Sequence, residues 1–258
     1  MQSFQTFLAE SAKSDKYERD ISDHINKNIK GVSSERPKAS TKYSDILVTL
    51  DGGESSWIEL KMSHTDNGPN PRIFFDGKKW RTTYTMQSAI KAADLMNKSK
   101  QAKLFIKAIA EFSGIKNPKI PTTTGGLKDK DAVPKSVMLE YFSQPGISQY
   151  IGSELNVDMG AIYTDHYLNH KAEPAHYLQA GDDFYLIGNM NPLGLKGNIP
   201  KLSGKGDFKV RVARLRGNSN FYEVQAELKL MKLEKSKYSV KPGTKQKNPF
   251  EGLKWCTI

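Results

Sequence analysis

From Ser14 onward apolar residues recur every four positions, at Tyr17, Ile21, Ile25 and Ile29 of SDKYERDISDHINKNI. That spacing lays one stripe along a helix, with Ser14 or Asp15 as its cap. After the loop GVSSERPKASTK, aliphatic residues dominate Tyr43 to Leu50 and again Trp57 to Met62, with the turn signal Asp51-Gly52-Gly53 between them. The pattern predicts two neighbouring strands in a hairpin or meander. Arg72 to Phe75 reads as a short strand and Asp76-Gly77-Lys78-Lys79 as a turn. Met86, Ile90, Ala93 and Asn97 then follow helical spacing, and Ala102 to Phe112 predicts a second helix ending at Gly114. Prolines and the pair Gly125-Gly126 break up Asn117 to Pro134, the best candidate for a boundary. Beyond it the pattern predicts a short helix around Val137 to Phe142 followed by irregular segments. Strands are expected at His176 to Gln179, Phe184 to Ile187, Phe208 to Leu215 and Tyr222 to Leu230. The polar stretch Lys235 to Asn248 reads as a mobile extension, and no internal repeat is visible. The expectation is an α/β chain: a core over residues 1–116, a linker or loop over 117–134, and a β-rich part over 135–258 packed on that core.

With 258 residues the chain has room for a substantial apolar interior. Its single cysteine, Cys256, excludes an internal disulfide and suits a reducing compartment. The start, MQSFQTFLAESAK, has no basic region before an apolar run, and no window approaches the roughly 18 apolar residues of a membrane helix. A soluble cytoplasmic protein without a membrane partner is therefore expected, its oligomeric state open. Charge sharpens the picture. The net charge is +11, with a pI of about 9.4. Residues 184–258 hold 15 Lys+Arg against 5 Asp+Glu, whereas residues 1–183 hold 24 against 23. Segregation of this kind predicts a phosphate-facing C-terminal part more readily than a uniformly solvated surface.

Phosphodiester hydrolysis assisted by a divalent metal needs carboxylates that converge where a phosphate can approach. Side chains at i and i+2 of a strand share a face, so Glu59 and Lys61 of IELKM project together while Leu60 enters the core. Asp45 opens the preceding strand, and the turn at residues 51–53 folds it back beside Glu59. The two carboxylates are candidate metal ligands, and Lys61 a candidate to orient or deprotonate an attacking water and to offset charge on the phosphate. Glu18 stands beside the apolar stripe of the first helix. The competing reading is an ordinary amphipathic hairpin with exposed charges.

The blocks Ser44-Asp45-Ile46-Leu47 and Trp57-Ile58-Glu59-Leu60-Lys61-Met62 resemble the P-D…(D/E)-x-K signature of the restriction-endonuclease-like nuclease superfamily, with Ser44 in place of its proline. Extended through Ser63-His64, a Gly-containing polar loop and Tyr84-Thr85, the resemblance is to type II restriction endonucleases of the Hha type. It is clear over residues 14–90 and fainter at 203–230. The resemblance implies a central mixed β-sheet flanked by helices, Mg²⁺ at Asp45 and Glu59 with Mn²⁺ as a substitute, a catalytic Lys61, and double-stranded DNA as substrate. It also places Glu18 as an acidic residue of the first helix and Gln87 as a polar helix residue near the site.

Other signals concern DNA. In the run from Ser203 to Arg216, which also carries Lys205, alternation puts Lys209, Arg211 and Ala213 on one face and Arg214 and Arg216 on the other. A basic two-stranded ribbon there would fit the major groove; a charge-protected edge strand is the alternative. His64 is expected at the strand end beside the scissile phosphate, or as a plain loop histidine. Arg72, Lys78, Lys79 and Arg81 are candidates for backbone phosphate contacts, or for a solvated basic loop. His166, His170, Glu173 and His176 superficially suggest zinc, but Pro174 interrupts any shared helix, and ordinary hydrogen-bonding roles are expected. The run TTTGG at 122–126 lacks a following Lys-Ser/Thr, which excludes a nucleotide-phosphate loop.

Together these readings predict a Mg²⁺-dependent, site-specific DNA endonuclease with a restriction-endonuclease-like core. The rivals are a non-catalytic nucleic-acid-binding protein and a phage or mobile-element endonuclease of the same superfamily, with a homing or repair role.

Overall fold

The computed structural model describes residues 4–37, 43–63, 68–120, 130–213, 222–251 and 253, with backbone alone at 4–11 and 230–232. In chain order the elements are α1 (Phe4–Asn28), β1 (Val32–Glu35), β2 (Ile46–Leu50), β3 (Ser55–Lys61), β4 (Arg72–Phe75), β5 (Trp80–Arg81), α2 (Gln87–Lys98), α3 (Lys100–Ser113) and α4 (Lys135–Ser143). They continue with β6 (Tyr150–Asp158), α5 (Met159–Asn169), β7 (Ala175–Ala180), β8 (Asp183–Leu186), β9 (Gly204–Ala213) and β10 (Glu223–Leu233). The chain is mixed α/β, as expected.

It divides into two compact units that interleave in sequence. The first takes Met1–Asp66, Tyr163–Gly204 and Met231–Ile258; the second takes Asn67–Ile162 and Lys205–Leu230. This division cuts across the one expected from sequence. Residues 135–258 are shared between both units, and Lys119 and Ile120, inside the expected linker, bridge to Ala132 and Phe75. Residues 121–129 lie outside the described part.

The first unit holds a five-stranded mixed sheet in the order β1-β2-β3-β7-β8. Neighbours are antiparallel except β3 and β7, which run parallel. A parallel pair needs a crossover, and here the crossover contains Asn67–Ile162 of the second unit and the remainder of α5. At the β2–β3 turn, Gly53 adopts φ +92°, which a residue with a side chain would resist, and its N–H bonds the Leu50 carbonyl at 2.8 Å. The expected helix stripe is real: Ile21 and Ile25 of α1, with Ile29 just past its end, join Ile46, Val48, Ile58, Leu60, Tyr177 and Phe184 in one core. The helix starts ten residues earlier than Ser14, whose hydroxyl bonds Glu18 instead of capping. The expected mobile extension is not one. Val240 and Phe250 are buried in that same core, and the Asp183 and Gln179 side chains accept from the backbone N–H of Ser236 and Val240.

The second unit holds a sheet in the order β5-β4-β10-β9-β6. The apolar face carries Ile73, Phe75, Ile151, Phe208, Val210, Val212, Val224, Ala226 and Leu228, and α2 packs against β4, β5 and β6. A Cβ on Gly206 would stand 2.1 Å from the Lys229 carbonyl oxygen, so the β9–β10 approach requires glycine there. The expected β9–β10 ribbon is therefore no free hairpin: β4 flanks β10 and β6 flanks β9. Its alternating apolar residues need a covered face, and a two-stranded ribbon alone would leave them in water.

Candidate active site

The β2–β3 register pairs Ile46 with Ile58 and Leu47 with Trp57. Continued by one residue, it sets Asp45 opposite Glu59, and the Leu60 N–H donates to Asp45 Oδ2 at 2.7 Å. Within β3 the period of two sends Ile58 and Leu60 to the α1 side and Trp57, Glu59 and Lys61 to the other. Glu59 is 4 % exposed. Its Oε1 receives two donors, Lys61 Nζ at 2.5 Å and the Tyr167 hydroxyl of α5 at 2.9 Å. Its Oε2 is buried and has no partner among the described residues.

The electrostatics of the two carboxyls diverge. Burial drives the Asp45 carboxyl up, and the neighbouring Glu59 charge adds to it, to about 7. Burial would raise Glu59 as well, but Lys61 and Lys171, with the Lys61 and Tyr167 hydrogen bonds, hold it below the usual carboxylate range. Burial would lower Lys61, yet Glu59 keeps it well above the ordinary lysine value, so it is an ammonium ion here. One carboxylate thus stays charged while its neighbour changes protonation near neutrality, as in pairs whose environments push two acids apart.

A short segment after α5 braces the pair. Lys171 Nζ donates to the Tyr43 carbonyl at 3.1 Å and lies 5.7 Å from the centre of the Tyr167 ring. Glu173 accepts from Trp57 Nε1 at 2.6 Å, and Trp57 stacks on Tyr43 with ring centres 5.1 Å apart. Residues 171 and 173 therefore hold the chain two positions before each carboxylate. Opposite Trp57, β7 slips register and leaves His176 extra, a bulge beside the site. Sequence reasoning missed Tyr167 and Lys171. The only signal was the aromatic density of AIYTDHYLNHK, in which Tyr167 lies 108 residues beyond Glu59.

The structure brings Asp45, Glu59 and Lys61 together. Glu18 bonds Ser14 at 3.2 Å and Arg36 at 3.0 Å, and its charge is the last of those that act on Asp45, raising it. The histidines do not gather into a metal site. His170 pairs with Asp165 at 3.3 Å, His176 meets the Ser56 hydroxyl at 3.3 Å, and Glu173 serves Trp57. His166 packs edge-on against Tyr167, and burial, aided by Lys171, lowers it to about 4, so it is neutral near pH 7. Among the described residues no three His, Cys, Asp or Glu side chains cluster as a metal cage.

The described candidates for DNA contact all belong to the second unit. Arg72 faces the fully buried Glu223 at 3.2 Å and Arg211 the buried Glu227 at 2.6 Å, so both answer internal charges. Arg81 pairs with Asp76, and Lys209 lies 3.9 Å from Asp207. Lys78, Lys79, Gln87 and Lys205 are exposed, with Gln87 opening α2. His64, Arg214 and Arg216 lie outside the described residues. No described helix is long and apolar enough to cross a membrane.

No family model matches the chain, and no curated protein matches it. Among solved structures it is similar to HhaI endonuclease in complex with DNA, at 15 % identity, over 86 % of this chain and 93 % of that one. The TM-score is 0.28, too low for residue positions to be carried across.

Proposed function

We propose that the chain is a divalent-metal-dependent endonuclease acting on double-stranded DNA, with Asp45, Glu59 and Lys61 at its centre and a restriction-endonuclease-like core around them. The observation that carries this reading is the buried, unpartnered Oε2 of Glu59 beside the Asp45 carboxyl. An ionised oxygen out of water without a donor is costly, and a cation is the partner that such an oxygen lacks. Asp45 and Glu59 would hold Mg²⁺ or Mn²⁺. Two protein carboxylates suit Mg²⁺, which commonly keeps several waters and takes further oxygens from a substrate phosphate. When bound, the metal would neutralise charge on the phosphate and acidify a coordinated water. Lys61, an ammonium against Glu59, orients the attacking water and offsets the negative charge that grows on the phosphate oxygens. Asp45, raised to about 7, would hold the cation in its ionised form.

Supercoiled plasmid incubated with the purified chain tests the reading. Nicking or linearisation is expected with Mg²⁺ or Mn²⁺, none in excess EDTA, and none from Glu59→Gln. Sequencing the product ends then reports whether cutting is site-specific. DNA binding without any cleavage in either metal would leave the non-catalytic nucleic-acid-binding reading in its place.

A further inference from the structure

Glu59 has two donors and both fall on the same oxygen. Lys61 Nζ sits at the end of a flexible stem two residues along the same strand, and by itself it has the freedom to follow either oxygen. Tyr167 does not have that freedom. Its side chain is 2 % exposed, its ring lies 5.7 Å from that of Tyr163 and 4.8 Å from that of His166, and Lys171 covers its face. The phenol therefore points in one direction, with its hydroxyl donating to Oε1 at 2.9 Å. A rigid donor on Oε1 pins the rotation of the carboxylate about its last bond.

We infer that Tyr167 is a positioning residue for the site, holding Oε1 of Glu59 so that Oε2 is the oxygen presented to a divalent cation. The inference rests on the metal-dependent reading of Asp45 and Glu59 given above. Its geometry is that of an outer hydrogen bond orienting a ligand, and removing such a bond typically weakens metal binding about 10- to 100-fold. Tyr167 touches neither the phosphate nor the water in this assignment. It acts through Glu59 alone.

Tyr167→Phe removes the hydroxyl and keeps the ring contacts. Mn²⁺ binding to the full chain without DNA, followed by the paramagnetic signal of the free ion, is expected to weaken at least roughly tenfold. The thermal midpoint should move by only a few degrees, and DNA binding in EDTA should not change. Tyr167→para-aminophenylalanine, which keeps a donor at the same place, should restore wild-type Mn²⁺ affinity; it also serves if the Phe variant melts below the assay temperature. Wild-type Mn²⁺ affinity in Tyr167→Phe, or failure of the amino variant to restore it, overturns the positioning role while leaving the nuclease reading standing. A wild-type chain that neither binds Mn²⁺ nor cleaves DNA overturns that reading, and the role of Tyr167 with it.

Discussion

Two glutamates, one in each unit, invite comparison. Glu59 and Glu227 are both 4 % exposed, both on interior strands of five-stranded sheets, and each ion-pairs with one cation and accepts a hydrogen bond from one tyrosine hydroxyl. Around Glu227 the partners are divided: Arg211 at 2.6 Å on Oε1 and Tyr150 at 2.8 Å on Oε2. Around Glu59 both fall on Oε1 and Oε2 is left bare. Glu223 follows Glu227, with Arg72 on one oxygen and the Gln225 amide on the other. The same kinds of donor give a carboxylate closed at both oxygens in one unit and an open one in the other. Burying a charge is tolerated where every lone pair is answered, and an unanswered oxygen is the feature that separates a site from a strut.

The largest expected effect breaks the open pair. Asp45→Ala and Lys61→Ala should each reduce cleavage by about 10²- to 10⁴-fold, the range for removal of a positioned acid, base or charge-stabilising group. Duplex binding in EDTA should survive in both. Gel-shift and plasmid cleavage on the same preparations check this, and near wild-type cleavage by either variant would remove it from the site.

Breaking the closed pair should have the opposite signature. Glu227→Gln leaves Arg211 without its counter-charge and should cost roughly 3 kcal/mol of stability. Cleavage per folded molecule should stay at the wild-type level. Denaturant unfolding beside a cleavage assay separates the two effects. A Glu227→Gln variant of full stability but no activity would make the second unit's carboxylate part of the chemistry.

A smaller, graded effect comes from pH. Asp45 is raised to about 7, so a divalent cation must displace its proton below that value. Mn²⁺ affinity should climb from about pH 5.5 to about 7 and then level off, and Asp45→Asn should abolish the slope. The sign for folding is the reverse. A carboxyl whose folded value lies above its unfolded one adds stability that is fully present below the unfolded value and is lost as pH rises through about 7. The metal-free protein should therefore gain stability above neutrality when Asp45 becomes Asn, measured by thermal unfolding at about pH 8 against about pH 5.

The open pair was partly legible in the sequence. A strand's period of two makes Glu59 and Lys61 share a face, and the Asp51-Gly52-Gly53 turn sets the register that returns Asp45 to Glu59. The bracing partners were not legible. Tyr167 is on a helix whose buried residues, Met159, Ile162, Tyr163 and Tyr167, keep helical spacing, but Gly160 weakens the pattern and no local spacing shows that Tyr167 meets Glu59, 108 residues away. β1 was hidden in VSSE, which has one aliphatic residue, and the ordered tail was hidden by polar composition because side chains of β7 and β8 hold its backbone. Glu18 fell on the expected helix, whose apolar stripe covers the opposite face of the sheet from Glu59, and Arg36 bonds it at 3.0 Å. The closed pairs of the second unit were least legible. Lys209 and Arg211 do share a face, yet periodicity cannot say that the same face of β10 carries Glu223 and Glu227.

The smallest expected effect tests whether that closure withholds the arginines from DNA. A cation already bound to a buried carboxylate releases no counterion from a phosphate, whereas an exposed lysine does. Lys78→Ala combined with Lys79→Ala should lower the slope of log affinity against log salt by roughly 0.9 for each phosphate that the variant no longer neutralises. Arg72→Gln and Arg211→Gln should leave the slope unchanged even where they lower stability, because those charges face Glu223 and Glu227. Duplex binding in EDTA over a potassium chloride series, at a temperature where every variant is folded, gives the slopes directly. A flatter slope for Arg211→Gln than for the double lysine variant would mean that the Glu227 pair opens on binding and that β9 meets the DNA backbone after all.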